Sequence, residues 1–408
     1  MGDDKKVLSF EEEKKKFGDK NKELIDFINE TDANFENIVF GDPNVKLEEL
    51  NKKHAFINSI GGKPMVLSHV YSAVADRDII EFISPDAFQV RYSNQSIYLG
   101  TRPIDIGQWW IKNSDRREYE TVIFDPSKPK EYRSCLNLWE GITLEPKIGV
   151  WARSLKHVYK VLCNKDRDKF KYVIQWFAWM VQNPGLPAEV AIIFKGKQGA
   201  GKGFLLNQFV KIYGQHGLSI SNREHLTGKH NGHLKLTTFL FADEAYYPGD
   251  KEVEGTVKQL ITEPNIPIEE KFMRLGPSKN CLHIAMSSNN EWIIPASGDS
   301  RRYFINEVDN AFSFGAQPHS IREKYFTLLH EEMNNGGREA MMYDLLKIDL
   351  DGWHPRQGIP KTMEMEKQKI IGLPLEKKAF LAWLEDGCFP GEITKHGKYL
   401  VQASMLHE

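Results

Sequence analysis

A glycine-rich stretch, GKQGAGK at residues 196–202, lies directly between a strand pattern and a helix pattern. The apolar run before it, residues 190–194, has the composition of a buried strand. Glycine permits tight turns that point backbone N–H groups inward at a helix N-terminus, and loops of this kind bind polyphosphates. The sequence therefore predicts a nucleotide phosphate site formed by six residues: Gly196, Gly199, Ala200, Gly201, Lys202 and Gly203.

The residue after the loop lysine departs from the common pattern G-x-x-x-x-G-K-[ST]. Lys202 supplies the charge that reaches the β- and γ-phosphates. The next position usually carries a serine or threonine whose hydroxyl binds Mg²⁺, and here it is Gly203. The pattern therefore predicts ATP and Mg²⁺ as cofactors and leaves open how the ion is held.

An acidic pair follows a second strand pattern. Residues 238–242 read TFLFA, typical of a buried strand, and Asp243 and Glu244 come directly after them. In a parallel sheet this strand can lie beside the strand before the loop, so that the carboxyl ends of both meet at one edge. In this Walker B arrangement we expect Asp243 to hold Mg²⁺ through water and Glu244 to orient or deprotonate the attacking water.

Two further elements follow in order. Residues 282–288 form another apolar strand pattern that ends in Asn289, whose amide can bind the γ-phosphate or its water. A double arginine, Arg301 and Arg302, then leads into a fifth strand pattern. Taken singly, such arginines are more often surface ion-pair partners. Because these arginines follow the preceding motifs, a second hypothesis stands beside the ion pair. In it, one of the two arginines reaches into the nucleotide site of a neighbouring subunit.

In this order the motifs resemble those of the superfamily 3 helicases, an AAA+ subgroup found in phage, plasmid and small viral replication proteins. Within that group the chain is most similar to the phage and plasmid primase-helicases. The resemblance rests on the G-x-Q-G-x-G-K loop, the Asp-Glu strand end, the strand ending in Ser-Asn and the arginine pair after Gly298-Asp299. It covers residues 188–308 closely and residues 50–187 and 309–385 more loosely.

The resemblance implies a function and a role for each motif. It implies a ring, a hexamer, that hydrolyses ATP between subunits and translocates on single-stranded DNA in the host cytoplasm, together with a primase or polymerase on the same or another chain. The implied roles are phosphate binding for Lys202 and the loop glycines, metal binding for Asp243, water activation for Glu244, sensing for Asn289, and the arginine finger for Arg301 or Arg302.

A hairpin pattern precedes the strand that ends in Asn289. Residues 268–279 contain Lys271, Arg274 and Lys279 around a turn. In superfamily 3 proteins a hairpin at this place projects into the central channel, so the resemblance implies that these three side chains bind single-stranded DNA phosphates. A solvated turn is the alternative interpretation.

Composition limits the classes of protein open to the chain. Its 408 residues have 41% hydrophobic content and a formal net charge of −2, so binding to DNA requires a locally basic surface. Four cysteines are widely spaced without a zinc-binding pattern. No apolar run approaches the ~18 residues of a membrane span, and no secretory h-region is present. We expect a cytoplasmic protein without membrane contacts.

The expected fold class is α/β, with an AAA+ P-loop core of about five parallel strands flanked by helical and α+β regions. The five expected strands are residues 190–194, 218–221, 238–243, 282–287 and 303–308. The expected domains are residues 1–50 as a leader or linker, 51–187 as an α+β region with a helical collar, 188–310 as the AAA+ helicase core, and 311–408 as a C-terminal helical region.

Two other functions share parts of this pattern. A small-molecule kinase would have the phosphate loop but would not need Glu244, Asn289 and an arginine pair in this order. An AAA+ ATPase that remodels or loads protein partners would share every catalytic residue. Only the basic hairpin argues against the second alternative.

Overall fold

The computed structural model describes ten stretches of the chain: residues 42–73, 77–99, 102–228, 230–244, 251–269, 276–291, 293, 300–386, 392–393 and 399–400. The chain divides into two compact units, Met1–Val122 and Ile123–Glu408. The boundaries expected at residues 50, 187 and 310 differ from this division, and as domain limits they stay a prediction. The first cuts a helix, Pro43–Lys53, whose Leu50 is buried in the core of the first unit, and the other two fall inside the second unit.

The first unit is α+β. Its helices are α1 (Pro43–Lys53), α2 (Pro85–Arg91) and α3 (Ile106–Lys112). Its strands are β1 (His54–Ile60), β2 (Lys63–Ser72), β3 (Arg77–Ile83), β4 (Ser96–Leu99), β5 (Arg102–Asp105) and β6 (Glu118–Tyr119), and a short strand, β7 (Thr121–Ile123), contains the boundary between the units. A four-stranded sheet has the order β3-β2-β1-β6, and β4 pairs with β5. Trp110 is fully buried here, and its indole Nε1 donates to Asn51 Oδ1 at 2.9 Å.

The second unit contains the remaining elements. Its helices are α4 (Ala152–His157), α5 (Arg167–Gln182), α6 (Lys202–Tyr213), α7 (Arg223–Thr227), α8 (Lys251–Thr262), α9 (His319–Glu332), α10 (Arg338–Lys347), α11 (Met363–Ile371) and α12 (Leu375–Asp386). Its strands are β8 (Glu131–Tyr132), β9 (Cys135–Asn137), β10 (Ala191–Lys195), β11 (Gly217–Ile220), β12 (Phe239–Asp243), β13 (Asn265–Ile268), β14 (Gly276–Lys279), β15 (His283–Ser288), β16 (Tyr303–Glu307), β17 (Glu392–Ile393) and β18 (Tyr399–Leu400).

Five parallel strands form the centre of the second unit, in the order β11-β12-β15-β10-β16. Both faces of this sheet are covered, because β10 and β15 are buried along their whole length. This explains why these strands read as continuous apolar runs rather than as alternating ones. The α/β expectation with five parallel strands is confirmed, and each strand lies within about one residue of its expected position.

Helix α5 lies in the core of the second unit. Phe177 stacks on Phe209 of α6 with ring centroids 4.4 Å apart, and Trp176 Nε1 donates to the carbonyl of Val190 at 2.9 Å. Helix α10 also packs against α5, and the side chains of both belong to one hydrophobic cluster with α6 and the sheet. A helix that is apolar around most of its circumference is buried in a core, and α5 is packed in this way.

Among the described residues, no helix combines the length and the apolar content that crossing a bilayer requires.

Two buried histidines predict a loss of stability in mild acid. Burial lowers the pKa of His157 and of His283 from 6.5 to about 4. Between these pH values the unfolded chain binds a proton that the folded chain does not. The free energy of unfolding must therefore fall as the pH drops from 6.5 towards 4, by up to about 3 kcal/mol per histidine.

Urea unfolding at pH 7.5 and pH 5.0 measures this effect. We expect the unfolding midpoint to be lower at pH 5.0, and His283→Gln to reduce the difference between the two pH values. An identical midpoint at both pH values would contradict the prediction.

Candidate active site

The phosphate loop leaves the carboxyl end of β10 and enters α6 at Lys202. Gly201 is the N-cap residue, and its φ of 94° is a left-handed conformation that favours glycine. No side chain caps the helix, so the N–H groups of its first turn are directed at the loop without a side-chain acceptor. This is the arrangement in which a helix N-terminus binds an anion.

Two glycines of the loop have side chains of distant residues packed against them. A Cβ atom at Gly199 would lie 2.7 Å from Arg322 Nη2, and one at Gly201 would lie 2.7 Å from His157 Cε1. Contacts this short do not occur between real Cβ atoms and their neighbours. The left-handed backbone conformation favours glycine at both positions, and at Gly201 the close His157 ring adds to this preference.

The His157 ring is hydrogen-bonded to the backbone of the phosphate loop. Its Nε2 lies 3.1 Å from the carbonyl oxygen of Gly201, and its Nδ1 lies 2.9 Å from the hydroxyl of Tyr325. A carbonyl can only accept, so Nε2 carries the proton and Nδ1 accepts from the tyrosine. Burial keeps the pKa of His157 at about 4, and the ring is therefore neutral at physiological pH. It acts as a fixed hydrogen-bond bridge between α9 and the loop.

The side chain of Lys202 is folded back over the loop. Its Nζ donates to the carbonyls of Gly196 at 2.7 Å and Lys197 at 3.1 Å, and to Asn289 Oδ1 at 2.5 Å. Burial lowers the pKa of Lys202, and the nearby charges of Glu244 and Asp243 oppose this effect. The ammonium group therefore lies between the loop and the two acidic residues, where a phosphate oxygen would compete for its partners.

The acidic pair and Asn289 lie at the same edge of the sheet. In the pairing of β12 with β15, Asp243 is opposite Ser287, and Ser287 Oγ donates to Asp243 Oδ1. Glu244 Oε2 accepts from the backbone N–H of Asn289 at 3.1 Å. Glu244 also has a φ of 55°, which is uncommon outside glycine and turns the chain sharply at the strand end. The structure thus brings Lys202, Asp243, Glu244 and Asn289 together.

The residues at this edge fit a magnesium ion that keeps most of its waters. Asp243 offers a carboxylate beside the Ser287 hydroxyl, and Mg²⁺ is commonly held by one or two carboxylates together with substrate phosphates. Gly203 offers no ligand. A Cβ at this position would lie 3.3 Å from Cζ of the buried Phe241 on β12, which is a close contact.

A serine at position 203 should therefore crowd the core. We expect Gly203→Ser to lower the free energy of unfolding by about 1 kcal/mol or more, because inserting atoms into a packed site is costly. Phe241→Leu should suppress this cost, and a double-mutant cycle by urea unfolding measures the coupling between the two positions. A Gly203→Ser protein of unchanged stability and lower Mg²⁺ requirement would show that the hydroxyl simply resumes its usual role.

The two arginines lie at the opposite edge of the sheet from the loop. In the pairing of β10 with β16, Tyr303 is opposite Ala191 and Glu307 is opposite Lys195. Arg301 and Arg302 precede Tyr303, so they are at the amino end of β10, while the loop follows its carboxyl end. Within one chain, the structure does not bring them together with Lys202 or Glu244.

The basic hairpin is present as a pair of antiparallel strands, β13 and β14, in which Ile268 is opposite Gly276. Lys271 and Arg274 lie outside the described residues. Lys279 is at the base of the hairpin, where its Nζ is 2.6 Å from Asp125 Oδ1. Burial opposes ionisation of Asp125, but hydrogen bonds from Lys279 and Ser127 outweigh it and lower the pKa of the carboxyl. Lys279 is thus ion-paired within the chain, and its binding to DNA stays a prediction.

Residues without a recognisable sequence motif also contact the phosphate loop. The post-sheet segment, residues 308–314 after β16, runs beside the loop: Asn310 Oδ1 accepts from the backbone N–H of Lys197 at 2.8 Å. Arg322 on α9 then reaches back, and its Nη2 lies 3.5 Å from the carbonyl of Gly199. These residues and His157 have no signal in the sequence, because contacts between distant segments leave no local pattern.

Comparisons with known proteins agree with this architecture. A model of a family of unknown function (DUF5906) matches residues 194–302, the span that contains the loop, the acidic pair, Asn289 and both arginines. The chain is 25% identical over 257 residues to the DNA primase-polymerase of Nitratiruptor phage NrS-1. That alignment covers 61% of this chain and 34% of the phage protein, so the chain spans only about a third of that relative's length.

Solved structures of the NrS-1 C-terminal region share the fold. The apo structure of residues 305–718 gives a TM-score of 0.60 at 22% identity, covering 83% of this chain and 78% of that one. An A form apo structure of the same region gives 0.61 at 21% identity, covering 83% and 79%. Both units of the present chain are needed to reach this coverage, since the second unit begins only at Ile123.

Proposed function

We propose that this chain is an ATP-hydrolysing motor of a phage or plasmid replication system, an AAA+ helicase of superfamily 3 that moves along single-stranded DNA. One observation carries the proposal: Lys202, Asp243, Glu244 and Asn289 converge at the carboxyl edge of a five-stranded parallel sheet. Open α/β sheets bind ligands at this edge. The shared fold with a phage primase-polymerase region supports a role in DNA replication.

In the proposed reaction the loop binds the triphosphate and Lys202 exchanges its carbonyl partners for phosphate oxygens. The N–H groups at the start of α6 bind the same phosphates. Magnesium held near Asp243 would neutralise phosphate charge. Glu244, whose Oε2 is fixed by the N–H of Asn289, accepts a proton from the attacking water, and the Asn289 amide holds the γ-phosphate.

The proposed arginine finger comes from another copy of the chain. Arg301 and Arg302 are at the far edge of the sheet from their own loop, so a contribution to catalysis requires a neighbouring subunit. A ring, a hexamer as in the resembled family, satisfies this requirement. A primase or polymerase, fused or separate, is the partner we propose within the host cytoplasm.

Strand displacement on a forked DNA substrate tests the proposal. We expect ATP to drive displacement when the fork carries single-stranded tails, and no displacement with a non-hydrolysable analogue or on a blunt duplex. ATP hydrolysis without any displacement would favour the protein-remodelling ATPase. Transfer of the γ-phosphate to a small molecule would favour the kinase.

The basic residues Lys271 and Arg274 supply a separate prediction. We expect the double charge reversal Lys271→Glu, Arg274→Glu to weaken single-stranded DNA binding by about tenfold or more, because two phosphate contacts are lost and replaced by repulsion. Basal ATP hydrolysis should be retained. Charge reversal of Lys63, an exposed residue of the first unit, is the matched control. Unchanged DNA affinity in the double variant would remove the hairpin from the mechanism.

A further inference from the structure

One large apolar ring stands exposed at the rim of the phosphate loop. Phe314, the last residue of the post-sheet segment, has 61% of its surface exposed. Its backbone N–H donates to the carbonyl of Gln198 at 3.1 Å, which ties it to the loop. A Cβ atom at Gly199 would lie 3.1 Å from Phe314 Cδ2, so the ring packs directly against the loop backbone.

A buried arginine fixes the orientation of this ring. The Arg322 guanidinium carbon lies 4.3 Å from the ring centroid of Phe314, within the range of a cation–π contact. Arg322 is itself 9% exposed, and its Nε donates to the carbonyl of Phe312 at 2.7 Å. The ring is therefore held by a side chain that cannot easily move, while most of its own surface stays open to solvent.

These packing contacts leave most of the Phe314 ring exposed to solvent. Phe241 on β12, by contrast, is buried. Phe314 instead presents a flat apolar surface that contacts the loop proposed to bind phosphates. A nucleotide whose phosphates lie on that loop needs such a surface for its base, and aromatic rings bind bases by stacking.

We propose that Phe314 is the stacking platform for the base of the bound nucleotide, with Arg322 as its positioning residue. This inference rests on the proposed function. Every base has a π-face, so stacking on Phe314 strengthens binding of purine nucleotides without distinguishing ATP from GTP. Any preference for adenine must come from other groups.

Binding of ATP, GTP and tripolyphosphate to the wild type and to Phe314 variants tests the platform. Tripolyphosphate has the phosphate chain without a base, so it reports on the loop alone. We expect Phe314→Ala to weaken ATP and GTP binding by about tenfold, within the ~5- to ~150-fold range that base–aromatic stacking energies correspond to, and to leave tripolyphosphate binding unchanged. Phe314→Trp should restore ATP affinity and show fluorescence quenching by ATP but not by tripolyphosphate.

Three outcomes overturn the platform. In the first, Phe314→Ala binds ATP as tightly as the wild type. In the second, it loses ATP and tripolyphosphate equally, which would make Phe314 a structural part of the loop. In the third, the wild type binds neither ATP nor tripolyphosphate, which overturns the proposed function as well. Phe380→Ala, which removes a half-exposed phenylalanine from α12, is the matched control and should bind all three ligands normally.

Discussion

Lys202→Ala should abolish ATP turnover, with a loss of about 100-fold or more. The side chain places a positive charge between the loop carbonyls, Asn289 and the acidic pair. Preorganised donors to developing charge in an enclosed site contribute about 10² to 10³ in rate, and this lysine also contributes to phosphate binding in the ground state. The measurement is steady-state phosphate release together with ATP affinity.

Lys197→Ala is the matched control for this variant. Lys197 lies in the same loop and the substitution removes the same charge, but its side chain is exposed and only its backbone contacts Asn310 and Lys202. We expect turnover within about threefold of the wild type for Lys197→Ala, since an exposed charge is screened by solvent. Equal losses in both variants would mean that the general charge of the loop matters, and full activity of Lys202→Ala would refute the site.

Glu244→Gln should separate binding from hydrolysis. The amide keeps the shape of the side chain and can still accept from the N–H of Asn289, but it cannot take a proton from water. General-base catalysis contributes about 10² to 10⁴ in rate, so we expect a loss of that size in turnover with ATP affinity retained or increased. Single-turnover hydrolysis and equilibrium binding measure the two effects.

The control for this substitution is Glu224→Gln on α7, an exposed carboxylate outside the site. It should hydrolyse ATP at the wild-type rate. A Glu244→Gln protein that neither binds nor hydrolyses ATP would assign Glu244 to the architecture of the strand end, where its φ of 55° already demands a particular turn.

The sheet and the loop were predictable because their signals are local. Strands buried on both faces produce short apolar runs, and β10 at Ala191–Lys195 lies one residue from the run at 190–194. The carboxyl ends of parallel strands share an edge, so the meeting of Glu244 and Asn289 followed from sequence order once the sheet was assumed. The glycine conformations at the loop followed from residue type alone.

The remaining parts depend on contacts between distant segments. Helix α5 has the same apolar pattern whether it covers the sheet or forms a collar, so the pattern does not specify its stacking on α6. His157 and Arg322 reach the loop from other helices, and Lys279 is bound by Asp125 far away in sequence. Spacing along one chain cannot reveal such pairs, which arise when the chain packs.

ATP hydrolysis by the purified chain, measured with and without single-stranded DNA, tests the central claim most directly. We expect DNA to stimulate hydrolysis, and the stimulated activity to disappear in Glu244→Gln. Hydrolysis that is lost in Glu244→Gln but indifferent to DNA would contradict the proposed DNA motor while leaving the ATP site intact.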